Sequence, residues 1–178
     1  IQWCLYYPGV LDLDELPLPP EAAALLEASR AAYRSGDLLA ALAHYPSDRP
    51  PVSPAEKVYL AALVLAVGQV DLAEELIQSV EQSADRDSRS AALATALRQL
   101  IATVKLQPSA ATRNPQLSTA LLAESYYLQS QYHRDRRDHL EAALAAAREA
   151  VNRSTNFAFG WARVAELEFS FGRIHAAR

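Results

Sequence analysis

Along most of this chain apolar positions recur every third or fourth residue, the spacing that places side chains on one stripe of an α-helix. Such stripes predict helices over 21–35, 38–45, 54–67, 70–82, 88–106 and 117–132. A further helix starts at His139, and another carries Trp161, Val164, Leu167 and Phe171. Between them lie turn formers: Ser35-Gly36-Asp37, the proline loop 46–54, Gly68, the polar stretch 81–89, the loop 107–115, Asn152 to Asn156, and Gly172, after which one more helix is expected to begin. The helix over 54–67 is unusual. Val58, Leu60, Ala61, Ala62, Leu63, Val64 and Leu65 leave it apolar nearly all round, the mark of a helix covered on more than one side.

Residues 1–16 follow a different period. Ile1, Trp3 and Leu5 alternate with Gln2, Cys4 and Tyr6 until Pro8-Gly9 breaks the run, which predicts a short extended arm. The proline-rich stretch from Leu16 to Pro20 then divides an arm and linker, 1–19, from a helical domain, 20–178. Trp3, Leu5, Tyr7, Val10 and Leu11 have no helix pattern of their own to bury them. The arm is therefore expected to lie against the first helical pairs, near Val58, Ala62 and Leu65.

The helices repeat. Gly68 follows Gly36 by 32 positions and Ala73 follows Ala41 by the same 32, while Ala177 follows Ala143 by 34. The run Ala143-x3-Ala147-x2-Ala150 supplies a small-residue seam, and Trp161, Val164 and Ala165 stand in the order W-x2-[LV]-[GA] before Gly172. With this period and these landmarks the chain resembles the tetratricopeptide repeat family. That resemblance implies an all-α, TPR-like helical-hairpin solenoid that binds a peptide or protein partner without catalysis. The middle departs from the pattern: one helix of the expected pairs is missing between 88–106 and 117–132, and the turn at 131–138 has no glycine. The words QWCLYYPGVLD, with repeats behind them, resemble the join in bacterial proteins where a FecR-type domain precedes such repeats. This implies a periplasmic or cell-envelope protein, a cytoplasmic regulatory or nucleic-acid-associated adaptor being the alternative.

Charge and composition narrow the partners. Hydrophobic residues make 51% of the 178, charged ones 21%, and the net charge is −4, whereas a general nucleic-acid binder is usually basic. No apolar run approaches the roughly 18 residues of a membrane span. Cys4 is the single cysteine, so the sequence has no disulfide framework and no zinc constellation. It holds no methionine and begins at Ile1, which leads to the expectation of a fragment or processed product.

Candidate chemistry is thin. The sequence has no glycine-rich phosphate loop, no G-x-S-x-G and no cysteine placed to pair with a histidine, so no enzyme and no cofactor is expected; a helical domain of a larger enzyme is the alternative. His133 and His139 are six apart and do not share a helix face, and the arginines between them repel a cation. Glu166 and Glu168 are two apart and point in different directions. A binding reading has more content. The resemblance implies that the first helix of each pair lines a concave groove. If Trp161, Val164 and Ala165 face the core, then Phe159, Ala162, Glu166, Phe169 and Ser170 face that groove, and the same register in 54–67 offers Val58, Ala62 and Leu65. Arg134, Arg136 and Arg137, in the mixed-charge corner QYHRDRRD, offer a contact for an anion or acidic peptide.

Overall fold

In a computed structural model of the chain, the residues described are 9–82, 88–107, 116–131 and 138–177. Among them are nine α-helices and no strand: α1 (Pro20–Leu25), α2 (Glu27–Arg34), α3 (Leu38–Ala43), α4 (Pro54–Ala66), α5 (Val70–Glu81), α6 (Arg89–Val104), α7 (Ser118–Ser130), α8 (Asp138–Arg153) and α9 (Ala158–Ser170). The all-α class follows from the sequence pattern. The helix predicted over 21–35 is split, because Leu26, fully buried, leaves helical ψ between α1 and α2. Contacts group the chain into two compact units, the first ending at Ala94 and the second starting at Thr95.

In the first unit α2 packs on α3, α3 on α4 and α4 on α5. Ser29 of α2 ties three of these together. Its hydroxyl donates to the Ala41 carbonyl of α3 at 2.6 Å and shares a 2.8 Å hydrogen bond with the Tyr59 hydroxyl of α4. Tyr59 meets the ring of Tyr33 edge-on at 6.0 Å and lies 6.2 Å from that of Tyr45, a geometry aromatic pairs favour. Burial pushes the Tyr59 hydroxyl up to about 12, so it stays a neutral donor and acceptor. The Tyr33 hydroxyl accepts from the Leu11 N–H at 3.2 Å. This bond and the 2.8 Å ion pair of Asp14 with Arg34 hold the non-helical segment 9–16, in which Val10, Leu11, Leu13 and Leu16 are buried, to α2. Trp3, Leu5 and Tyr7 lie outside the described residues.

The all-apolar helix predicted over 54–67 is α4, and from Val58 to Ala66 only Leu60 has any appreciable exposure. Val58, Ala62 and Leu65 are therefore core residues and line no open groove. The physical reason is the one their pattern carries: a helix apolar on every side lowers its free energy only by being covered on every side. The entry to α4 is fixed by polar groups. The Ser53 hydroxyl accepts from the Glu56 N–H at 3.2 Å, and the buried Glu56 carboxylate reaches back to the Val52 N–H at 3.0 Å and to Arg49 at 2.9 Å. This is a capping box with its return bond moved one residue upstream.

In the second unit α7 packs along α8 and α8 on α9, with α7 also reaching α9. Ala143, Ala147 and Ala150 are fully buried on α8, as a small-residue seam requires. Val164 and Leu167 of α9 pack into a cluster with Ala143, Leu144, Ala147 and Val151. The packing is tight at Gly160, where a Cβ would lie 2.8 Å from a methyl of Val151.

One closure recurs. After α2, α4 and α9 the chain turns at a glycine with positive φ, Gly36 at +84°, Gly68 at +83° and Gly172 at +73°. In each case the glycine N–H bonds the carbonyl three residues back, and the next N–H bonds the carbonyl five back from itself: Gly68 to Leu65 and Gln69 to Val64, both at 2.9 Å, for α4. These are Schellman motifs. Helix α6 ends the same way without glycine, since Leu106 at φ +54° donates to Thr103 and Gln107 donates to Ala102. Sequence inspection misses this fourth member because leucine carries no turn signal.

Two outcomes follow. The left-handed region costs a residue with Cβ about 1–2 kcal/mol, and Leu106 is 81% exposed, so little packing is lost with its side chain. Allowing for the greater chain entropy of glycine, Leu106→Gly should stabilise by about 0.5–1 kcal/mol. Gly68→Ala should destabilise by about 1 kcal/mol, since its Cβ would meet no atom within 4 Å and only the backbone objects. Urea midpoints moving in the same direction for both variants would refute the shared closure.

Glu56 gives a pH test. Burial pushes its carboxyl up, but the Arg49 hydrogen bond, the Val52 N–H and the Arg49 charge outweigh this, and its pKa is lowered from 4.5. A lowered folded pKa means stability that is full above the unfolded value and lost as pH falls through the folded one. The melting-temperature gap between wild type and Glu56→Gln should be widest near neutrality and shrink below pH 4.5. A gap that is constant with pH would count against the carboxylate's role.

Candidate functional site

Helix α9 carries most of the groove positions. Counting around it, Phe157, Gly160, Arg163, Val164, Leu167 and Glu168 are buried, while Ala158, Trp161, Ala162, Glu166, Phe169 and Ser170 are exposed and Phe159 and Ala165 are intermediate. The inward side is thus not the one expected. Trp161 is 50% exposed, its indole N–H donating to the Thr155 carbonyl at 2.8 Å. Gly160 and Arg163 take the inward positions in its place. The cause is the close approach of α8: with no side chain at Gly160 the helices meet there, and an indole one position on is rolled out to the edge.

Arg163 is the larger surprise. Its side chain is 0% exposed. The guanidinium donates through Nε to the Ser125 hydroxyl at 3.1 Å, through Nη2 to the Ser125 carbonyl at 3.3 Å and the Gln129 side chain at 2.7 Å, and through Nη1 to Glu166 at 2.8 Å. It also lies 3.9 Å above the Tyr126 ring, a cation–π contact. Burial pushes the Tyr126 hydroxyl up to about 12, the nearby guanidinium opposing this, so the ring stays neutral. Except for Glu166, every partner is on α7. A buried charge is tolerated only when its donors are matched, and here they are.

Glu168 is the second buried charge on the same helix. Arg148 of α8 and Arg173, just past the end of α9, both donate to its carboxylate, the latter at 3.3 Å. One charge network thus fastens α9 to α7 and the other to α8. Sequence reasoning read Glu168 only as one of two acids that point in different directions and passed over Arg163. A lone charged residue inside an apolar stripe looks like a solvent position unless its partners on other helices are known.

With its inner side fixed twice, α9 presents a continuous outer surface. Ala158, Ala162 and Phe169, with Trp161 along one edge, give it an apolar stripe, and Phe169 is 66% exposed. Glu166 and Ser170 border it on one side, and the half-exposed guanidinium groups of Arg148 and Arg173 stand towards the other. Of the proposed groove set, Phe159, Ala162, Glu166, Phe169 and Ser170 share this helix, and Val58, Ala62 and Leu65 belong to the core of the first unit. Arg134, Arg136 and Arg137 lie outside the described residues. No cluster of His, Cys, Asp or Glu among the described residues could hold a metal ion, and none of their helices is long and apolar enough to cross a membrane. No family model, curated protein or solved structure matches the chain.

Mutations separate the two sides of α9. Arg163→Ala should cost about 3 kcal/mol or more, because Ser125 and Gln129 lose a buried donor and a cavity opens. Lysine should not restore it, having no planar fork to reach four acceptors. Trp161→Ala, which would cost roughly 3–5 kcal/mol if the indole were buried, should cost below about 1 kcal/mol in its exposed position. Denaturation midpoints for the three variants check the order.

Proposed function

We propose that the chain is a non-catalytic interaction module, built of tetratricopeptide-like helical pairs, that binds a peptide or protein through the outer face of α9. The observation that carries this is the contrast between the two sides of that helix. Two buried charge networks hold its back rigid, and its front leaves Trp161 and Phe169 in solvent. Exposed aromatic side chains on a rigid element make efficient contact points, since little conformational freedom is lost when they are covered. The repeated Schellman closures, each reversing the chain after a helix, support the repeat reading. The N-terminal words QWCLYYPGVLD favour a bacterial cell-envelope setting.

A random-peptide display selection against the immobilised chain tests the function. Enriched peptides should bind wild type and lose about tenfold or more in affinity for Phe169→Glu, a surface change that should leave the melting temperature within a degree or two. If no peptide is enriched, or if enriched peptides bind both forms equally, α9 is not the binding face.

A further inference from the structure

The three glycine-closed helices can be aligned on their glycines, and one difference then stands out. Ten, seven and three residues before the glycine stand Leu26, Ser29 and Tyr33 for α2, Val58, Ala61 and Leu65 for α4, and Ala162, Ala165 and Phe169 for α9. The first six are buried, none more than 2% exposed. In α2 the covering groups are known: Ser29 bonds the Ala41 carbonyl of α3, and Tyr59 of α4 lies on Ser29 and Tyr33. In α9 the corresponding face is open at Ala162 and Phe169 and only partly covered at Ala165.

The residues after each glycine match as well. Five positions on stands Ala41, Ala73 and Ala177, and two positions on stands Leu38, Val70 and Ile174. In all three copies the alanine N–H donates to the carbonyl of the residue following the glycine, at 2.9, 3.1 and 3.1 Å. In the first two copies this turn opens α3 and α5. After Gly172 residues 174–176 form a turn. Asp37 caps α3 by accepting from the Ala40 N–H through its side chain, whereas the Arg173 side chain carries no acceptor and donates to Glu168 instead.

Resting on the reading of α9 as the binding face, we infer that its partner is an acidic amphipathic α-helix. That helix seats a small residue against Ala165, as α3 seats Ala41 against Ser29. Shape follows from the register, since a small residue at the crossing lets two helix axes approach while Trp161 and Phe169 close over the flanks. Charge points the same way. Arg148 and Arg173 share the single carboxylate of Glu168 and leave an excess positive charge beside the stripe, while Glu166 is matched by Arg163. Helix α5 is itself such a helix. It buries Ala73, Ile77 and Val80 and carries Asp71, Glu74, Glu75 and Glu81 with no basic residue.

The probe is a synthetic peptide of residues 69–82 added to the full chain bearing Trp3→Phe, so that Trp161 alone reports. Saturable binding with a blue shift of Trp161 emission is expected. Affinity should fall by about tenfold or more when the peptide carries Ala73→Leu or the chain carries Ala165→Leu, and should weaken with added salt. Absence of binding, while display-selected peptides still bind through Phe169, would overturn the helical partner and leave the binding face standing. If those peptides fail too, the binding face falls with it. Concentration-dependent self-association abolished by Phe169→Glu would assign the face to a second copy and overturn the inference in that way.

Discussion

A helix that stops leaves its last carbonyls without partners, and most of this chain's architecture depends on how that need is met. A residue in the left-handed region lets its own N–H and the next one fold back onto those carbonyls. The same step reverses the chain, so the following segment is delivered to a set face of the helix just completed. Helices α2, α4, α6 and α9 all use it. Because the geometry is the same each time, residues at equal distances before the turn face the same way. That is why the faces of α2, α4 and α9 can be compared position by position. Glycine serves three of the four; Leu106 serves the fourth at a cost in backbone strain.

Charge buried between helices does the rest in the second unit. Arg163 and Glu168 sit inside α9, where hydrophobic side chains of similar volume would fill the space with less desolvation. Their effect is directional. Three guanidinium hydrogen bonds and a ring contact fix the rotation of α9 against α7, and the Arg148–Glu168 pair fixes it against α8. An apolar seam would tolerate some rolling of the helix about its axis, and matched polar groups tolerate much less. The rotation so fixed turns Phe169 and Trp161 outward, which links the buried polar groups to the open face proposed for binding.

Much of this was legible in the amino-acid order, and the reasons are specific. Helical spacing of apolar residues gave seven of the nine predicted helices their places, because burying one stripe is what makes a helix stable in a domain; the helix over 21–35 is split, and the residues described after Gly172 form a turn. Gly36, Gly68 and Gly172 marked their closures because no other residue takes that conformation so readily. The all-round apolar character of 54–67 announced its burial, although the groove register then misassigned Val58, Ala62 and Leu65 to a surface.

Tertiary structure alone decided the rest. The sequence determines which residues prefer water and where helices stop, since both are properties of a residue and its near neighbours. It does not determine which edge of an apolar stripe faces inward when aromatic, small and charged residues compete for the place. On α9 that contest went to Gly160 and Arg163 over Trp161, because Val151 demanded close approach and Ser125, Gln129 and Glu166 offered acceptors. Ser125 and Gln129 stand more than thirty residues away along the chain. A hydrogen bond worth making only when both groups leave water together has no signature in either residue's local sequence.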